Sequence, residues 1–161
     1  MGAIQAGTLA PEFTWPGTDG KTYSLKEALA QGPLLVAFFK VSCPVCQFTF
    51  PFLERFHRHL GRVWGVSQDK EKDSRAFARE YGITLPILLE DTEDYPTSNA
   101  YGLEYVPTVF LVDRSGEILH TSVGFVKKDL EEIAAKMESL LAKKGFSPFK
   151  AGEDVPAFKS G

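Results

Sequence analysis

A chain of 161 residues has the length of one domain with a short appendage, at a usual domain size of about 150 residues. With 43% hydrophobic, 12% aromatic and 24% charged residues, it is a globular chain, and disorder as its main state is excluded. A net charge of −3 gives no basic excess for a phosphate backbone or an anionic membrane, so neither nucleic acid nor a membrane surface is an expected partner.

The longest apolar run, residues 34–39, is far short of the ~18 residues of a spanning helix. Residues 1–13 contain no Lys or Arg and no sustained apolar run, and Ala6 breaks the myristoylation pattern, so a cytoplasmic protein is expected.

In chain order, Phe13-Thr14-Trp15 and Lys21-Thr22-Tyr23-Ser24 flank the turn-rich Pro16-Gly17-Thr18-Asp19-Gly20, which predicts an N-terminal hairpin. Ser24 can cap a short helix over 25–30, broken by Gln31-Gly32-Pro33. Residues 34–39 are apolar on both faces, as a central strand covered by helices on each side would be. A helix follows over 44–60, with Phe48, Phe52, Leu53, Phe56 and Leu60 on one face and Pro51 inside it as an expected kink.

Strand 63–67, helix 72–81, strand 85–90 and a short helix at 95–101 continue the alternation. Strand 108–112 turns at Asp113-Arg114-Ser115-Gly116 and returns over 117–123 as an antiparallel hairpin. Leu130, Ile133, Ala134, Met137, Leu140 and Leu141 mark a final amphipathic helix, with Gly145 the expected C-cap and Lys143 and Lys144 suited to the negative end of its dipole. Residues 1–144 form the expected domain. In the tail, 145–161, Phe146, Phe149, Val155 and Phe158 alternate with Pro148, Gly152 and Pro156. Burying several phenylalanines offsets the entropy of ordering such a segment, so it is expected to pack on the domain or on a second subunit.

Both cysteines lie in Cys43-Pro44-Val45-Cys46, at the junction of the central strand and the long helix. A thiol at the first turn of a helix faces unpaired backbone N–H groups and the positive end of the macrodipole, which favour thiolate over thiol. Pro44 suits the first helical position, where the N–H it lacks would have no partner. Cys46, almost one turn further in, can attack a mixed disulfide formed at Cys43. Cys43 is the expected nucleophile and Cys46 the resolving thiol.

Phe38-Phe39, Cys43-Pro44-Val45-Cys46, Pro51 and Val106-Pro107-Thr108 before a strand and hairpin together resemble the thioredoxin superfamily over residues 11–141. The added N-terminal hairpin and the extra strand and helix before 85–90 are most similar to its TlpA/ResA-like and AhpC/TSA redoxin branch. The resemblance implies an α/β thioredoxin-like fold: a central mixed sheet flanked by helices, with the hairpin extension and an inserted strand–helix unit. It also implies a cis Val106-Pro107 bond beside the cysteines, whose backbone would hold an extended substrate segment. The chain departs from the pattern in having Ser42 before the first cysteine, and Ala37 and Thr49 where relatives carry buried carboxylates. Glu90 or Asp91, at the end of a parallel strand, is then the nearest candidate for proton transfer with Cys46.

Three other readings compete. Structural zinc needs four ligands, but His57 is eleven residues past Cys46, about 16 Å along a helix, His59 is further, and His120 lies in the terminal hairpin; no metal is expected. A purely structural disulfide would close too short a loop to stabilise much. A peroxiredoxin-like thiol peroxidase needs Pro-x-x-x-Thr/Ser-x-x-Cys, whereas Val36 and Lys40 precede Cys43, and Phe39 and Cys43 precede Cys46, at those positions. A metallochaperone or other metal- or thiol-binding module is a non-enzymatic alternative. The expected activity is thiol–disulfide oxidoreduction on a disulfide-bearing protein or small thiol, with a recycling reductase and no bound cofactor. Its potential should lie between about −270 and −120 mV, and in a cytoplasm it would act mainly as a reductant. Trp15 and Trp64 read as packing residues, Lys127-Lys128 as a solvated helix start, and Lys40 as a solvated lysine beside the cysteine turn.

Overall fold

The computed structural model describes residues 2–161. Its nucleus is strand β3 (Leu34–Phe39), every residue of which is buried. Side chains alternate across a strand, so Leu35, Ala37 and Phe39 enter one hydrophobic layer and Leu34, Val36 and Phe38 the other. Two helical layers are therefore tied together by one strand, which explains its apolar composition.

A hairpin of β1 (Thr14–Pro16) and β2 (Thr22–Ser24) precedes it. Helix α1 (Leu25–Leu29) starts where the Ser24 hydroxyl accepts the Glu27 N–H at 3.3 Å. After β3 come α2 (Pro44–Leu60), β4 (Val63–Ser67), α3 (Glu71–Tyr81), β5 (Ile87–Leu89) and α4 (Pro96–Ala100). Strands β6 (Thr108–Val112) and β7 (Ile118–Val123) lead to β8 (Phe125–Val126), α5 (Lys127–Leu141) and β9 (Phe158–Lys159). The main sheet has the order β5-β4-β3-β6-β7, with β3-β4 and β4-β5 parallel and β3-β6 and β6-β7 antiparallel. This is the mixed, helix-flanked sheet of a thioredoxin-like fold.

Several boundaries differ from the sequence reading. Strand β5 begins at Ile87 instead of residue 85 because the Leu85 N–H donates to the Glu54 carboxylate at 3.0 Å and Pro86 has no N–H to give. The buried stripe of α2 includes Phe50, fully buried, while Phe48 is only half-buried. The C-cap of α5 is Ala142, in the left-handed region at φ 54°, and not Gly145. The helix must stop early because Phe146 turns back onto α2, its N–H donating to Glu138 at 3.2 Å and its ring 5.0 Å from that of Phe56.

Beyond α5 the tail follows α2. Phe149 packs 5.1 Å from Phe52, and Arg55 holds Glu153 through two parallel hydrogen bonds of 2.8 Å. Phe158 is 58% exposed, unlike the buried Phe146 and Phe149, because β9 lies on the outer side of β8.

Gly65, in the middle of β4, shows how tight the core is. A Cβ there would sit 3.0 Å from the Phe50 ring and 3.2 Å from the Phe39 ring. Both rings are fully buried and 4.2 Å apart, so neither can yield freely. Gly65→Ala is expected to destabilise the fold by about 1–3 kcal/mol through overpacking, read as a lower urea midpoint at unchanged slope. An unchanged midpoint would show that the rings relax.

Candidate active site

The sheet delivers the chain to the site at the carboxyl end of β3, the position at which open α/β sheets place their ligands. Cys43 caps α2 from an extended conformation (φ −82°, ψ 115°), with Pro44 in the first turn. Its sulfur accepts the Cys46 backbone N–H at 3.2 Å, and its carbonyl accepts the Gln47 N–H at 3.0 Å. The sulfur therefore occupies the capping position normally filled by a side-chain oxygen, where an N–H donor and the helix dipole favour negative charge.

The two thiols are unequal. Cys43 is half-buried between exposed Ser42 and exposed Pro44, with Val45 half-buried, while Cys46 is fully buried. Burial pushes the Cys46 thiol well above its ordinary range; hydrogen bonding to the Cys43 sulfur and the charges of Cys43 and Asp69 add to the rise, and a backbone hydrogen bond at Lys40 opposes it. Cys46 is therefore held as a neutral thiol one turn inside Cys43, chiefly by its burial.

Val106-Pro107 is a cis peptide. It meets the cysteines directly: the Cys43 thiol lies 3.5 Å from the Val106 carbonyl oxygen as a donor to it. Pro107 is buried and Val106 half-buried, and the loop is fixed by Thr108 Oγ1 donating to the Tyr105 carbonyl at 2.7 Å and by Gly124 N–H donating to the Pro107 carbonyl at 2.8 Å. Cys43, Pro44, Val45, Cys46, Val106 and Pro107 are thus gathered at one place.

The carboxylate beside this place is Asp69, not Glu90 or Asp91. Asp69 Oδ2 accepts the Val41 N–H at 2.8 Å and so braces the turn that leads to Cys43. Gln47 Nε2 braces it from the helix, donating to the Val41 carbonyl at 2.9 Å. Glu90 is turned away: its carboxylate accepts the Ser98 N–H at 2.6 Å and the Ser98 hydroxyl at 2.5 Å, and burial raises its pKa. The sheet order explains the difference. Strand β4, not β5, lies next to β3, so the acid beyond the end of β4 reaches the site. The order of strands was the missing information.

Exposed Lys40 borders a groove of about 200 Å³ shared with Gln68, Leu103, Glu104, Tyr105 and Val106. A larger groove of about 420 Å³, between Leu9 and Arg114, touches neither cysteine. His120 pairs with Asp129 at 3.3 Å and shares a cluster with Glu132 that includes neither sulfur. The other two histidines, His57 and His59, lie in the last turn of α2, at the opposite end of the helix from Cys43.

Residues 6–121 match the family model described as AhpC/TSA family. The chain belongs to the AhpC/TSA family. It is 30% identical over 138 residues to thioredoxin-like protein YneN of Bacillus subtilis (strain 168), covering 80% of this chain and 78% of that protein. It is 27% identical over 143 residues to thiol-disulfide oxidoreductase ResA of Geobacillus thermodenitrificans (strain NG80-2), covering 86% and 79%. Among solved structures, a putative thiol:disulfide interchange protein DsbE from Chlorobium tepidum superposes with a TM-score of 0.73 at 26% identity, covering 86% of this chain and 99% of that one. For this AhpC/TSA family member, the matched region contains β3, both cysteines and the cis-proline loop, and it ends before α5 and the tail.

Proposed function

We propose that the protein is a thiol–disulfide oxidoreductase in which Cys43 and Cys46 pass two electrons to a disulfide of a polypeptide or small-thiol substrate. The observation that carries the reading is the pairing of a half-buried N-cap sulfur, served by an N–H donor, with a buried thiol one turn inside. Relatives named as thiol-disulfide oxidoreductases over most of their length support it.

In the first step the Cys43 thiolate attacks one sulfur of the substrate disulfide. A Cys43–substrate disulfide forms, the substrate S–S bond breaks, and the other substrate sulfur leaves as a thiolate. With Cys43 no longer charged, one of the influences that kept Cys46 protonated disappears. Cys46 then loses its proton and attacks Cys43; the Cys43–Cys46 bond forms, and the second substrate sulfur leaves as a thiolate. The dithiol is oxidised and the substrate reduced by two electrons, and the two protons given up by the cysteines end on the substrate sulfurs. A recycling reductase reverses the exchange. Asp69, whose charge bears on Cys46 and whose oxygen holds the turn before Cys43, is the candidate positioning group for the second step.

Peroxide reduction is the alternative within the same family. It would need groups that polarise the O–O bond, and Val36 and Lys40 stand where a peroxidatic site has proline and a hydroxyl residue. The reduced protein is expected to reduce insulin with a rate first order in protein, and to react with hydrogen peroxide no faster than an ordinary thiolate. Rapid peroxide turnover without insulin reduction would replace this reading with the peroxidase.

A further inference from the structure

The final residues of the chain cross the backbone that the proposed reaction requires for its substrate. Strand β9 pairs antiparallel with β8, Lys159 opposite Phe125 and Phe158 opposite Val126, and the Lys127 N–H extends the pairing to the Ala157 carbonyl at 2.9 Å. The Lys159 ammonium lies 5.1 Å from the ring centre of Phe48, two residues past Cys46. Further on, the chain passes so close over Gly124 that a Cβ there would lie 2.7 Å from the Lys159 carbonyl oxygen.

Gly161 then rests on the cis-proline loop itself. A Cβ built on it would lie 2.1 Å from the Val106 carbonyl oxygen, 2.8 Å from the Val106 carbonyl carbon and 3.3 Å from Pro107 N. That carbonyl oxygen is the one the Cys43 thiol touches. The end of the strap and the proposed nucleophile therefore meet at a single atom.

An extended polypeptide recognised by strand addition needs free main-chain groups along the receiving edge. Here the Val106 carbonyl is already covered by the protein's own chain. We propose that residues 158–161 are a specificity-determining strap: they occupy the substrate-strand position, so that a small disulfide reaches Cys43 directly and a polypeptide disulfide does so only after the strap lifts. The proposal rests on the oxidoreductase reading of Cys43 and Cys46.

The strap is built to lift. Phe146 and Phe149 are buried and Glu153 is clamped by Arg55, so the tail is anchored up to that point. Every residue from Pro156 to Gly161 is exposed, and the strap's hold on β8 is a two-residue ladder. Few buried apolar contacts mean a low local opening free energy. With the strap in place Cys43 is still only half-buried and its chain neighbours Ser42 and Pro44 are exposed, which leaves it open to a small disulfide. Tyr105, Val123 and Phe158, three of the exposed large hydrophobic side chains, line a groove of about 360 Å³ with Ser160 and Gly161, and lifting the strap would extend that surface along the loop.

The test compares the full chain with a chain shortened after Ala157, which keeps Phe146, Phe149 and Glu153, using insulin and cystine as substrates. A substrate's apparent affinity falls in proportion to the open fraction, so the shortened chain should reduce insulin about tenfold faster in kcat/KM, with the cystine rate within about twofold. Gly161→Val, whose side chain cannot fit against the Val106 carbonyl, should move the insulin rate in the same direction at unchanged melting temperature. Equal insulin rates in all three proteins, with cystine reduced by all, would remove the strap and leave the oxidoreductase reading intact. Parallel losses on both substrates would also overturn it, by showing the tail to be a support of the site. Failure of the full chain on both substrates would remove the oxidoreductase reading and the strap with it.

Discussion

Cys43→Ser is expected to lower insulin reduction by about three orders of magnitude or more, to the background of the added reductant. The serine hydroxyl can still accept the Cys46 N–H, as the sulfur does at 3.2 Å, so the helix keeps its cap and the melting temperature should change little. Only the attacking sulfur is lost, and Cys46, fully buried, cannot replace it. Cys46→Ser should act differently. Cys43 remains half-buried and can still form the mixed disulfide, but nothing follows to break it. Single-turnover mixing with insulin should therefore give a stable covalent adduct, visible by mass spectrometry and reversed by excess dithiothreitol, with multiple turnover abolished. Adduct formation by Cys43→Ser instead would invert the two roles.

The largest stability effect is expected at Glu54, a carboxylate only 4% exposed on α2. Its oxygens accept the Thr84 N–H at 2.8 Å, the Leu85 N–H at 3.0 Å and the Thr84 hydroxyl, and Arg58 pairs with it at 3.1 Å. These bonds dock the segment entering β5 onto the helix that carries both cysteines. Glu54→Ala leaves the buried Leu85 N–H without its acceptor, at about 1–3 kcal/mol, and removes three further hydrogen bonds, from the Thr84 N–H and hydroxyl and from Arg58, at about 0.5–1.5 kcal/mol each, so a total loss of about 3–5 kcal/mol is expected. For a domain of this size that is a fall in melting temperature of roughly 6–20 °C.

Although burial alone would raise the Glu54 pKa, its hydrogen bonds to Thr84, Leu85 and Arg58 outweigh that and hold it below the ordinary carboxylate value. Its contribution is thus present above the unfolded pKa of about 4.3 and is lost as pH falls through the lower folded value. The wild type should lose stability over that acid window more steeply than Glu54→Gln. Identical acid dependence in the two proteins would show that Glu54 is not the group responsible.

What the sequence determined by itself was set by local chemistry. The run at 34–39 is apolar on both faces, only six residues long and set off from the preceding helix by Gly32-Pro33, which suits a central strand better than a buried helix; β3 takes up those six residues. Cys43-Pro44 at the end of that strand specified a helix start, because a capping side chain followed by proline satisfies the first turn from within. The Cys-x-x-Cys spacing and the Val-Pro-Thr before β6 carried the resemblance, and with it the oxidoreductase chemistry.

Only the tertiary structure decided the rest, because each remaining feature is a contact between segments distant in the chain. Asp69 braces the turn that leads to Cys43, and Glu90 is bonded to Ser98 instead, because β4 inserts between β3 and β5. Helix α5 ends at Ala142 because Phe146 is drawn to Phe56, a contact that outweighs glycine's preference for the left-handed cap at Gly145. The strap over Val106 has no sequence signature: its residues are exposed and irregular, and its place is fixed by pairing with β8 across more than thirty intervening residues. Local patterns record where a chain turns and which face it buries; they do not record which of two acids or which stretch of tail arrives at a given carbonyl, since that depends on strand order and packing.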